Sequence, residues 1–196
     1  MKLSPGKIAA VLAGAGAAAA GVWVYRDYQK WLALGPGGLP YDFGGWLQTT
    51  QMRLRKIDPL DTSLLVDLPG APEDAQCLAD LPPREGPRPE VGVHPVPHRQ
   101  LNQLPGQAMK ERIEALFDLV VARESQRVEY QLSYFEKRNR AVTLLDQTAG
   151  PVDALLSHGE IAHVHPSDGS MHMILSRADA RETIDHGWGE LHPLAG

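Results

Sequence analysis

Eighteen consecutive residues near the start of the chain, IAAVLAGAGAAAAGVWVY from Ile8 to Tyr25, carry no charge. At about 1.5 Å rise per residue, a helix of this length just crosses a hydrocarbon layer of roughly 27–30 Å. Lys2 and Lys7 precede the run, and Arg26 and Lys30 follow it. Trp23 and Tyr25 stand at its C-terminal end, where interfacial aromatics belong. Ala and Gly dominate, so the apolar signal is weaker than that of a Leu-rich span. The residues favour a single-pass anchor over two other forms. One is a cleaved signal peptide, since small residues offer many A-x-A-like sites; the other is a soluble or interfacial helix. The two flanks are too alike in charge to orient the segment. With it set aside, about 120–150 of the 196 residues remain for a folded unit, which suggests one domain.

That unit has a modest core and many turns, because 43% of the chain is apolar while Gly and Pro supply 19 and 16 residues. A net charge of −5 gives no overall electrostatic case for nucleic acid as a partner. The single cysteine, Cys77, excludes an internal disulfide and a Cys-rich zinc site, and reads as a small packing residue. No phosphate-binding glycine loop, nucleophile elbow or EF-hand pattern occurs.

The stretch GPGGLPYDFGG, Gly35 to Gly45, is a breaker-rich linker. WLQTTQMRLRKI, Trp46 to Ile57, has the spacing of a short amphipathic helix, lying on a membrane or packed on the domain. LADLPPREGPRPEV is too Pro-rich for a central strand or helix and should run as an extended surface arm. His94 and His98, in VHPVPHRQ, are expected to be exposed with it. Arg84 is available to a substrate oxyanion or to a surface ion pair. GQAMKERIEALFDLVVAR predicts a helix whose stripe of Met109, Ile113, Leu116, Phe117, Val120 and Val121 is core. RVEYQLSYFE and AVTLLD read as strands, EIAHVH and SMHMIL as a hairpin. SRADARETIDHG reads as a helix with Ser176 as N-cap, Asp179 in the capping-box position and Gly187 past its end. The order predicts an α+β fold: a small, mainly antiparallel sheet packed with helices, preceded by an N-terminal transmembrane helix.

The hairpin carries the chemistry. If Asp168-Gly169 forms a two-residue turn, His165 faces His172; if the loop spans Pro166 to Gly169, His163 faces His172. In either register, alternation puts His163, His165 and His172 on one face, with Ala162, Val164, Met171 and Met173 on the other toward the helices. Three imidazoles on one surface suit a metal, or a general base beside a hydrogen-bond donor to an oxyanion, or a polar face without chemistry. Glu160, Ser170 and the nearby GWGELHPLAG favour function. His186 reads as a helix-terminal cation. His192 can reach the histidine face, and Trp188 can stack on an aromatic substrate or plug the core.

Three blocks, in order, resemble the fungal luciferase family: YRDYQKWLALGPGGLPYDFGGW, CLADLPPREGPRP, and EIAHVHPSDGSMHMILSRADARETIDHGWGELHPLAG. The resemblance covers most of the chain. It implies a protein with one N-terminal anchor, single-pass in the endoplasmic reticulum or another internal membrane if the source is eukaryotic. Its expected parts are an anchor and flank at 1–30, a linker, short helix and Pro-rich arm at 31–106, and a luciferase-like α+β domain at 107–196. It implies oxidation of a small enolic aromatic, a 3-hydroxyhispidin-type pyrone, with molecular oxygen as co-substrate and no added cofactor. Its shared positions present here are His163, His165, His172, Trp188, His192 and Pro193. The expected site is thus His163, His165 and His172 as catalytic residues, with Glu160, Ser170, Trp188, His192 and Arg84 toward the substrate and no metal. Against it stand a non-catalytic membrane-anchored binding protein on the same scaffold and a three-histidine metal-dependent enzyme. Luciferases of the family continue past HPLAG into a further strand and helix, so the sheet is expected to end on an open edge.

Overall fold

The computed structural model describes residues 4–65, 76–148 and 156–195. Lys2, Gly196 and part of the acid- and Pro-rich stretch before Cys77 lie outside them. Helix α1 (Pro5–Ala33) starts with proline at its first turn, where a missing N–H costs nothing, and runs well beyond Tyr25. It is long and apolar enough to cross a membrane, and its apolar stretch is not buried against the protein. Its last turns differ. Asp27 and Trp31 are buried, and Trp31 Nε1–H donates to the Val96 carbonyl at 2.9 Å.

Helix α2 (Phe43–Met52) begins inside the segment read as a linker, because Asp42 caps it by accepting from the Gly45 N–H at 3.0 Å. Gly45 is required there: a Cβ would lie 1.9 Å from the Pro40 carbonyl oxygen. Trp46 and Thr49 are buried while Leu47 and Leu54 stay exposed, so α2 packs on the domain. Trp46 tilts against Phe43 at 4.9 Å and meets Tyr28 edge-on at 6.1 Å, which welds α2 to α1.

The sheet is antiparallel, in the order β1 (Val128–Leu132), β2 (Arg140–Leu144), β3 (Glu160–Val164), β4 (Met171–Met173). Helix α3 (Gln107–Arg123) precedes it and α4 (Arg177–Asp185) follows, which gives the expected α+β fold. Ala141, Val142, Ala162 and Val164 form its buried centre. Met171 and Met173, expected against the helices, are half-exposed, because β4 is a three-residue strand at the sheet's edge.

The stripe of α3 is also not core. Lys110, Glu114 and Asp118 tie the helix down: Arg140 pairs with Glu114 at 2.5 Å and Asp118 at 2.9 Å, and Lys110 Nζ donates to the Pro166 carbonyl at 3.1 Å. These polar anchors turn Ile113, Phe117 and Val121 toward the sheet and leave Met109, Leu116 and Val120 about half-exposed. In α4, Ser176 caps by accepting from the Asp179 N–H, but Asp179 does not complete a capping box. Its carboxylate accepts from the Cys77 and Leu78 N–H groups at 2.8 and 2.7 Å, pinning the arm, and Cys77 itself is exposed rather than packed.

The Pro-rich arm has no helix or long strand among its described residues, as expected, but it is not a loose surface segment. Val91 bridges Gln100, and Gly92 N–H donates to the Arg99 carbonyl at 3.0 Å, so residues 90–101 fold back as a hairpin-like loop. The loop drives His94 and Arg99 inward to 2% and 4% exposure, and leaves the His98 side chain only 10% exposed, which overturns the expectation of two exposed histidines.

Candidate active site

The β3–β4 hairpin takes the four-residue loop. His163 pairs with His172, His165 N–H donates to the Ser170 carbonyl, and Gly169 N–H donates back to the His165 carbonyl. Gly169 has φ +72°, and a Cβ on it would fall 2.5 Å from Pro105 Cγ, so the turn needs glycine twice over. Alternation then puts the three imidazoles together, with ring centroids 4.8–5.0 Å apart and His163 stacked on His172.

Simple alternation places Glu160 on the opposite face from His163. The register shifts between Val142 and Thr143, however, so that Thr143 opposes Glu160 while Val142 opposes Ala162. This bulge re-aims the Glu160 side chain. Its carboxylate lies 2.5 Å from His163 Nδ1 and also accepts from the Ser133 hydroxyl and the Tyr134 N–H. Glu160 is 3% exposed and fully engaged, so it orients the ring.

These partners constrain the tautomers. An ionised carboxylate only accepts, so His163 carries its proton on Nδ1. The Ser170 hydroxyl lies 2.7 Å from Asp168 Oδ2 and 2.8 Å from His165 Nδ1, and when it donates to the carboxylate it accepts from His165 Nδ1–H. Asp168 is held in turn by the Gln100 N–H at 2.8 Å. In that arrangement the two neutral rings direct Nε2 lone pairs at each other across 3.1 Å; with the Ser170 proton on His165 Nδ1 instead, His165 Nε2–H donates to His163 Nε2.

Charge nearby is arranged around that pair. Glu136 Oε1 lies 3.6 Å from His165 Nε2, and Arg99 donates to both Glu136 oxygens at 3.2 and 2.8 Å. Burial alone raises a carboxyl; the neighbouring His165 ring and the bonds from Arg99 outweigh it and hold Glu136 at about 2. Burial pushes His165 below its ordinary value, and Glu136 only partly opposes that. Burial, assisted by the neighbouring imidazoles, pushes His172 well down.

Two further histidines complete the group. His98, from the arm, meets His172 edge-on at 5.7 Å and His192 at 5.1 Å, while His192 lies 5.3 Å from His172. Glu190 Oε1 accepts from His98 Nε2–H at 3.0 Å, which leaves Nδ1 as the basic nitrogen of that ring. His192 Nδ1 accepts from the Leu194 N–H at 3.2 Å, and its ring also bonds the Pro95 carbonyl. Burial, with the His98 charge, drives His192 down to about 4.

His163, His165, His172, Glu160, Ser170 and His192 are thus gathered in one place. Arg84 and Trp188 are positioned by other contacts. Arg84 donates to the Pro87 carbonyl at 2.6 Å and to Gln103, and Trp188, half-exposed, donates to the Pro82 carbonyl at 2.6 Å. His186 caps α4 and bonds the Leu81 carbonyl at 2.5 Å. Sequence reasoning missed Ser133, Glu136, Asp168, Glu190, His98 and Arg99; no spacing marks the first four, and the prolines around the last two point to exposure. Hollows of about 580 Å³ beside Ala18, Val22 and Trp23 and about 230 Å³ beside Tyr130, Arg140 and Val164 have no histidine in their walls.

A family profile described as the Luciferase domain matches residues 158–196, which hold the hairpin, α4 and the HPLAG segment. A luciferase of Armillaria mellea is 34% identical over 187 residues, covering 89% of this chain and 68% of its own length. A luciferase of Armillaria ostoyae matches to the same extent, and one of Neonothopanus nambi is 34% identical over 186 residues, covering 88% and 67%. No solved structure matches the chain.

Proposed function

The chain belongs to the fungal luciferase family, and on that footing we propose that it oxidises a small enolic aromatic, a 3-hydroxyhispidin-type pyrone, with molecular oxygen at the histidine cluster. The observation that carries this is the gathering of five imidazoles, three from the hairpin and two from distant segments, with the buried Glu160 holding His163 and Ser170 meeting His165.

Oxidation of such a substrate begins with loss of the enol proton, because the anion is what gives an electron to oxygen. The acceptor must be basic near neutral pH and held still. His98 is held still, since Glu190 fixes its Nε2–H and its ring borders His172. His163, His165 and His172 face the oxyanion so formed. Their inward lone pairs serve it only with a positive charge among them, a proton or an ion. Burial strengthens that attraction and keeps competing water out.

The N-terminal helix acts in this proposal as a single-pass anchor that holds the domain at an internal membrane, within reach of an apolar substrate. A non-catalytic binding protein on this scaffold would hold the aromatic without changing it. Purified full-length chain supplied with 3-hydroxyhispidin and air should consume the substrate, read by absorbance and light. Binding without consumption would leave only the binding protein.

A further inference from the structure

We propose that His163, His165 and His172 bind one divalent first-row transition-metal ion, with His163 and His165 ligating through Nε2. The inference deepens the proposed oxygenase site by naming the positive charge that its oxyanion meets.

His163 Nε2 and His165 Nε2 stand 3.1 Å apart, and whenever the Ser170 hydroxyl donates to Asp168 both are unprotonated and repel one another. Both rings are almost fully buried, at 2% and 0% exposure, so water cannot relieve the conflict cheaply. A metal ion relieves it directly. Tetrahedral imidazole ligands about 2.0–2.1 Å from a metal lie about 3.3 Å from one another, which the 3.1 Å pair already meets.

A ring nitrogen of His172 completes the set, since one ligand atom from each of the three histidines lies within 4.8 Å of the others. His172 stands on the short edge strand, stacked on His163, so its ring turns to bring a nitrogen to the ion. The outer contacts are those of a metal site. Glu160 takes the Nδ1–H of His163 and the Ser170–Asp168 pair takes that of His165, the arrangement that orients ligating histidines and raises their basicity. Three neutral ligands leave at least one position open and the ion's full charge available to an enolate oxygen. His98, held by Glu190, stays outside the ligand set and takes the proton.

The test uses full-length protein stripped with chelator and titrated with Co²⁺, whose visible bands report coordination, and with Zn²⁺ by calorimetry. One equivalent of each should bind. His172→Ala, a change at the sheet edge, should weaken binding at least about 100-fold, and Glu160→Gln about 10–100-fold. A proton shared between the two Nε2 atoms answers the same conflict; in that case neither ion binds at up to millimolar concentration, and the metal site is wrong. Binding that His172→Ala and His165→Ala both leave unchanged would overturn it equally. Stripped protein that consumes 3-hydroxyhispidin at full rate refutes the metal but leaves the oxygenase. Protein that binds one equivalent and never consumes substrate does the reverse.

Discussion

His94 and His98 leave the same loop and enter two different buried networks. His94 Nε2 sits 3.2 Å from Asp27 Oδ2, beside Arg53 and the Trp46 indole N–H, which both donate to that carboxylate. His98 enters the histidine cluster, where Arg99 and Glu136 play the corresponding parts. Each network sets one arginine and at least one histidine about a carboxylate. They differ in what is left over. Asp27 is met by donors on both oxygens, so its histidine has an obvious partner and a structural end. In the cluster Glu160 and Ser170 meet the outer nitrogens of His163 and His165, and the inner ones face each other at 3.1 Å. A carboxylate met on both oxygens locks a fold; ring nitrogens gathered on one point are poised for a ligand.

The sharpest way to break this comparison is Asp27→Ala. It strands Arg53 and His94 beneath the base of α1, and should cost about 3–5 kcal/mol of stability in denaturant titrations. Turnover per folded molecule should not change. A loss of turnover at unchanged stability would mean that the Asp27 network belongs to the chemistry.

Acid should act on both regions with the same sign. Burial, with the Arg53 charge, holds His94 below its ordinary value, and burial with the His98 charge holds His192 at about 4. A histidine depressed in the folded state contributes stability above its unfolded value of 6.5, because the unfolded chain protonates first as the pH falls. The unfolding midpoint should therefore drop between pH 6.5 and about 4, with His192 accounting for up to roughly 3 kcal/mol. His94→Gln and His192→Gln should each flatten part of that slope.

His172→Ala attacks the other side of the comparison. It should lower turnover by about 100-fold or more, near 2.7 kcal/mol in the barrier, and leave the far-ultraviolet dichroism unchanged. Glu160→Gln keeps the shape but weakens the orienting bond to His163. A loss of about tenfold in kcat is expected. If it instead unfolds the domain, Glu160 belongs with Asp27 as a lock.

The sequence made these two regions unequally legible. Period-2 alternation placed three histidines on one face without fixing the register, and a turn with glycine at positive φ supplied the register. Glu160 was legible only as a neighbour, because its aim depends on a bulge that no residue type announces. Periodicity found α3 but misjudged its rotation, since three polar anchors to Arg140, Tyr130 and the hairpin loop outweighed half of the apolar stripe. Asp27 was invisible for a different reason. It follows an apolar run as one more flanking polar residue, and only the folded-back arm, 67 positions away at His94, turns it into a core group.

Arg84 sets the outer limit of the site. Sequence reasoning offered it to the substrate because a cation in a Pro-rich arm is free to reach an oxyanion. In the fold its guanidinium is spent on the arm itself, on the Pro87 carbonyl and Gln103, while its backbone N–H donates to the His186 carbonyl at 2.8 Å. Arg84→Ala removes the exposed side-chain bonds and keeps the backbone one, so stability should move by no more than about 1 kcal/mol and turnover by less than about twofold. A tenfold fall in turnover with unchanged stability would carry the reacting surface outward from the five histidines to the arm. The pair Arg84 and Trp188, both seated on that arm, would then have to be counted as a wall of the substrate site.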